Sequence, residues 1–94
     1  MFRHVVCQKF IDKNDVLEAA RLLRALPEQI PELLCMEVGL NEFETERSFD
    51  LCLIATFENI DGLHAYEKHP AHQAVRNFIK PRRSGTVSVD FTGE

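Results

Sequence analysis

Ninety-four residues, 45% of them apolar and 28% charged, have the size and mixture of one soluble globular domain spanning residues 1–94. Eleven Lys and Arg against fifteen Asp and Glu leave a net charge of −4, with the four histidines counted neutral. These values exclude a disordered tail, a fibre and a disulfide-packed scaffold, and an acidic chain gains nothing from counterion release on nucleic acid.

The chain opens on Phe2 to Phe10, a run of β-branched and aromatic residues without Gly or Pro that reads as a strand. His4, Val6, Gln8 and Phe10 fall on one face of it. Asp12, Lys13 and Asn14 form a turn, with Asn14 as the expected helix N-cap. From Asp15 to Leu26, Val16, Ala19, Ala20, Leu23 and Leu26 recur at three- and four-residue steps, the stripe of an amphipathic helix. Pro27 and Pro31 bound it. Leu33 to Leu40 is a second strand, alternating Leu34, Met36, Val38 and Leu40 against Cys35, Glu37 and Gly39. An acidic loop with Glu42, Glu44 and Glu46 leads to a third strand over 49–58.

Residues 59–79 read as two helical pieces. Asn59 is the expected cap of the first, which carries Leu63 and Tyr66. Pro70 opens the second, where its missing N–H costs nothing, and His69 sits in the capping position before it. Pro81 ends the second piece. Thr86 to Phe91 is a last strand, with Val87, Val89 and Phe91 alternating against Ser88 and Asp90. The order β-α-β-β-α-β predicts an α+β, ferredoxin-like fold: an antiparallel four-stranded sheet with helices on one face.

The third strand is apolar on both sides. Leu51, Leu53, Ala55 and Phe57 fill one face, and Cys52, Ile54 and Thr56 the other. A sheet covered by helices on one side should alternate apolar and polar. The uncovered face predicts a homodimer packing sheet on sheet. Burying about 400 Å² of apolar surface per chain there contributes on the order of 10 kcal/mol before association costs.

Cys7, Cys35 and Cys52 fit no zinc or CxxC spacing and read as reduced core residues. Arg3 and His4 interrupt any apolar leader, and no apolar run approaches the ~20 residues that cross a bilayer. A cytoplasmic protein without a membrane partner is the expectation. The basic run Arg76, Lys80, Arg82 and Arg83 reads as a solvated helix end whose cations face the negative pole of the dipole, with an anion site as the alternative.

The chemistry-bearing residues are His4, His64, Tyr66, His69 and His72, with acids at Asp50, Asp61 and Glu67. His72 shares a helix face with Val75 and Ile79, so it points between helix and sheet. His4, near the start of a central strand, can look into the same space. A neutral imidazole beside a phenol can accept and return a proton near pH 7. That suits proton abstraction next to a carbonyl; hydrogen-bonded core residues are the structural alternative. His69 and His72 lack a clear third ligand, so no metal is expected, and no phosphate-cradling glycine loop calls for a cofactor.

His4-Val5-Val6, the Leu34–Gly39 step, Phe49-Asp50-Leu51, Val87-x-Val89-Asp90-Phe91 and above all Tyr66-x-x-His69-Pro70-Ala71-His72 resemble the stress-responsive A/B barrel domain (Dabb) family. The resemblance covers nearly the whole chain. It implies a ferredoxin-like fold that dimerises into an α/β barrel. Most members have no assigned activity, but a few plant members are polyketide cyclases. By that resemblance His72 is the base, Tyr66 its partner and His4 a further pocket residue. A fourth pocket histidine of the cyclases falls at Leu51, which is aliphatic. The expectation is a homodimer binding a small apolar, phenolic or carbonyl molecule, with cyclase-, lyase- or isomerase-type acid–base chemistry. A non-enzymatic, stress-related dimer is the alternative.

Overall fold

Residues 1–93 are described by the computed structural model. Strand β1 spans Phe2–Phe10, helix α1 Val16–Arg24, β2 Cys35–Leu40, β3 Leu51–Phe57, α2 Ile60–Lys68, α3 Pro70–Ile79 and β4 Arg83–Thr92. The strands lie in the order β2-β3-β1-β4, and every neighbouring pair is antiparallel. This is the ferredoxin-like arrangement expected.

Period-two patterning decides which side of each strand is buried. Val6 and Phe10 of β1 and Leu51, Leu53, Ala55 and Phe57 of β3 face the helices and are at most 8% exposed. Met36, Val38 and Leu40 of β2 join them at the margin. Against this face α1 lays Val16, Ala19, Ala20 and Leu23. The two alanines are fully buried and bring the helix close to the sheet. Gly62 does the same for α2, since a Cβ there would meet Cβ of Phe57 at 3.0 Å.

Several boundaries differ from the sequence expectation. Asn14 does not cap α1; its own N–H donates to Oδ1 of Asp12, at 2.9 Å, within a 3₁₀ turn at Lys13–Asp15. Past α1, Leu26–Glu28 continues as a second 3₁₀ turn, because Pro27 fits the start of a turn but cannot donate within a helix. The second strand starts at Cys35, so Leu34 stays 52% exposed. Asn59 and His69 cap as expected, accepting from the N–H groups of Asp61 and Ala71.

The cysteines are not core residues. Cys35 is exposed, and Cys7 and Cys52 are half-buried neighbours on the side of the sheet away from the helices. Desolvation, with Cys7 hydrogen-bonded beside it, pushes the Cys52 thiol up to about 11, which leaves it a poor nucleophile at neutral pH.

That outer side is apolar. Val5 of β1 stands between Ile54 of β3 and Val89 of β4, and Cys7 between Cys52 and Val87. Val87, Val89 and Phe91 are exposed. Strand β4 thus turns its apolar residues outward and its polar residues, Thr86, Ser88 and Asp90, toward the helix side.

Asp50 fastens the end of β1. Its Oδ2 accepts from the Phe10 N–H at 2.8 Å and from Nζ of Lys13 at 2.7 Å. Burial alone would raise the carboxyl pKa, but Lys13 and the Phe10 N–H outweigh it and hold it below the ordinary 3.8. Asp50→Ala is expected to cost about 2–3 kcal/mol in urea unfolding at neutral pH, since a buried N–H loses its charged acceptor. The folded pKa lies below the unfolded one. The contribution is therefore full above about pH 4 and is lost as pH falls through the folded value, so the variant's deficit should shrink in acid.

Candidate functional site

A cleft of about 280 Å³ opens between α3 and the β1–β4 half of the sheet. Its floor is aliphatic, with Val6, Leu23, Leu53, Val75 and Ile79. His4, Tyr66 and His72 all line it, so β1, α2 and α3 each bring one of the expected residues to the same space. His72 is there because Val75 and Ile79, one and two turns further along α3, are pinned to the core.

Tyr66 is 1% exposed and packs between two rings, Phe57 with centroids 5.3 Å apart and His72 at 4.2 Å. Burial, and then the Glu67 carboxylate, push its phenol well above 10. It is a proton donor throughout the neutral range. Burial holds the His72 imidazole below the ordinary 6.5, and Arg76 and His4 push the same way against the carbonyl and carboxylate of Glu67. His72 is therefore neutral at pH 7. Its Nδ1 lies 3.4 Å from the carbonyl oxygen of Glu67, a weak contact that is attractive only with the proton on Nδ1. That tautomer leaves the Nε2 lone pair as the base.

His4 is held from the neighbouring strand. Its Nδ1 pairs with Oδ1 of Asp90, its register partner on β4. A carboxylate accepting from one ring nitrogen fixes the ring's orientation and leaves the other nitrogen free.

The remaining sequence candidates lie elsewhere. His64 is exposed, 3.6 Å from the Glu67 carboxylate. His69 spends Nδ1 on capping α3. Asp61 sits in the first turn of α2, and Asp50 is the clamp on β1. Among the described residues no cluster of three metal-ligating side chains occurs.

The sequence model of the stress-responsive A/B barrel domain matches residues 2–93. The chain belongs to that family. An uncharacterized protein of Streptomyces coelicolor is 33% identical over 79 residues, covering 79% of this chain and 81% of its own. A dimeric protein of unknown function with a ferredoxin-like fold from Bacteroides fragilis superimposes with a TM-score of 0.86 at 26% identity, covering 98% of this chain and 95% of that one. A second dimeric ferredoxin-like protein of unknown function, from Thermobifida fusca, gives a TM-score of 0.86 at 27% identity, with 98% and 90% covered.

In this Dabb chain Leu51, where the cyclases of the family place a pocket histidine, is 2% exposed and packed in the core. Two residues were given no role from the sequence: Gln8, which lines the cleft, and His4's partner Asp90. Of the basic run, Arg82 belongs to the helix end, donating to the Phe78 carbonyl at 2.7 Å, and Lys80 is exposed. Arg76 and Arg83 line the cleft instead of forming a purely solvated helix end. The available signal for Asp90 was its place on a common face with Thr86 and Ser88 in a strand otherwise rich in valine.

Proposed function

We propose that this Dabb chain works as a homodimer that binds a small apolar, phenolic or carbonyl compound in the cleft. His72 accepts a proton from carbon next to a carbonyl, and the Tyr66 phenol donates to the oxygen on which charge develops. His4, braced by Asp90, orients the carbonyl. The observation that carries this reading is the meeting of His4, Tyr66 and His72 at one cleft, with the imidazole packed at a tilt against the phenol ring. The reaction class is cyclase-, lyase- or isomerase-like, since enolising reactions of each kind begin with such a proton transfer. Fold membership alone does not choose among them. The uncovered strip of Val5, Ile54, Val87, Val89 and Phe91 supports the dimer, as does the dimeric state of the two solved relatives.

Benzylacetone, an aromatic ring joined to a methyl ketone, is a fitting probe. It is expected to raise the thermal midpoint and to move the His72 ring-proton resonances on titration. A ketone that leaves both unchanged would sink the reading. Near-complete burial of Tyr66 favours a second reading, in which the phenol and imidazole only hold α2 against α3. It predicts that Tyr66→Phe and His72→Gln change stability and leave benzylacetone binding unaltered.

A further inference from the structure

Part of the cleft lining is cationic and hydroxylated. Arg76 of α3 lines it from the helix side, and Arg83, Thr86 and Ser88 of β4 from the sheet side. Two features set the two arginines apart from ordinary surface cations. The first is how Arg83 arrives. Alternation along β4 from Asp90, Ser88 and Thr86 would next bring residue 84 to the helix side. A register shift between Lys9 and Phe10 pairs Phe10 with Arg83 instead, which turns Arg83 to the cleft side. Bulges of this kind re-aim a side chain and concentrate beside functional sites.

The second is the lack of acids. Among the described residues, the arginines held in ion pairs are Arg21, with Glu18, and Arg82, with Asp15. No carboxylate among the described residues pairs with Arg76 or Arg83. Glu67, the acid on the cleft lining, directs its carboxylate to His64. A third feature points to a polar ligand. Gln8, 6% exposed, lies on the cleft wall in register with Thr86, and its Oε1 is buried without a hydrogen-bond partner. Native interiors rarely leave such a group unpaired; as an acceptor it takes a donor, such as a water carried in with a polar ligand, and does not itself hold the carboxylate.

We propose that Arg76 and Arg83 bind a carboxylate of the ligand, so that the cleft takes small aromatic or aliphatic keto acids. The inference rests on the ligand reading above and narrows it. Arg76 follows His72 by four residues, one turn along the same helix face, about 6 Å. Both side chains therefore line the same cleft, and a flexible guanidinium arm can reach a carboxylate carried near the carbon that His72 deprotonates. Arg83 lines the same cleft from β4 and supplies the second cation. A guanidinium meets a carboxylate through two parallel N–H donors, which fixes direction as well as charge.

The test compares benzoylpropionate, a ketone with a carboxylate two methylenes away, with its uncharged amide. Binding is read by NMR at the His72 ring protons. The acid is expected to bind about tenfold more tightly than the amide. Arg76→Gln should remove that preference by weakening the acid alone, Arg83→Gln should reduce it, and added salt should weaken only the acid. Both arginines are outside the core, and an unchanged thermal midpoint in each variant will show that folding is intact. Equal affinities for acid and amide, both felt at His72, would overturn the carboxylate site and leave the ligand cleft standing. Silence of His72 toward both would overturn the two together. Inorganic phosphate is the third arm: displacement of the acid by phosphate at lower concentration than by acetate would reassign the site to phosphate and refute the carboxylate.

Discussion

Light scattering on a sizing column is expected to find the parent chain dimeric and Val89→Asp monomeric. Val89 is 64% exposed on the isolated chain, so the substitution removes little from the fold itself. In a sheet-on-sheet dimer the same position is covered; its register partner Val5 offers no counter-charge, and Arg3, on the same face of β1, has its guanidinium turned against Gly93. A carboxylate taken out of water without a partner costs several kcal/mol. Two-fold symmetry places one from each chain in the interface. Association should weaken by at least ~10³-fold, since about 4 kcal/mol corresponds to that factor. Leu17→Asp is the control. Leu17 is also 70% exposed, but it lies on α1, on the opposite side of the sheet, and its replacement should leave the dimer intact. If Val89→Asp remains dimeric at micromolar concentration, the outer face of the sheet is not the interface.

The outer face of the sheet also marks how far the sequence could be read. The two-sided apolar pattern of Leu51 to Phe57 was legible because alternation with no polar register requires cover on both faces. The order of strands and helices was legible because period two and period three-to-four separate cleanly here, with Asn59, His69 and Pro70 as punctuation. The direction of His72 followed from Val75 and Ile79, which can only face the core.

Strand β4 was not readable in the same way. Alternation tells which residues share a side, not which side faces the helices. For β4 the usual assumption, apolar toward the helices, is inverted. Thr86, Ser88 and Asp90 remain exposed on the helix side because the helices leave an open cleft there, and the valines go to the outer face. Cys7 and Cys52 were misassigned for a related reason. An apolar run on a strand buried on one side places half its residues outside the core. Arg83 enters the cleft through a bulge beside Gly85, but that glycine fell before the expected strand start at Thr86 and so was not read as a bulge signal, and a helix-end charge run is ordinarily solvated.

His72→Ala is expected to reduce proton exchange from the benzylacetone α-carbon into heavy water by ~10²–10⁴, the usual worth of a positioned base. The assay follows loss of the α-proton signals and needs no knowledge of the natural substrate. The pH profile carries the assignment. Exchange requires the neutral imidazole, so the rate should rise with pH through a midpoint below 6.5 and then level off, because the Tyr66 phenol keeps its proton well above neutrality. Tyr66→Phe should lower the plateau without moving that midpoint, since it removes the donor and keeps the ring that packs on His72. Stability must respond to the same depressed pKa. Below the unfolded value of 6.5 the unfolded chain takes up a proton that the folded chain refuses. The contribution is thus full above 6.5 and lost as pH falls through the folded value. His72→Gln cannot titrate and should flatten this part of the stability curve. A purely structural imidazole would give the flattened curve too, but with exchange unchanged from wild type. The two measurements together therefore separate a base from a packing residue.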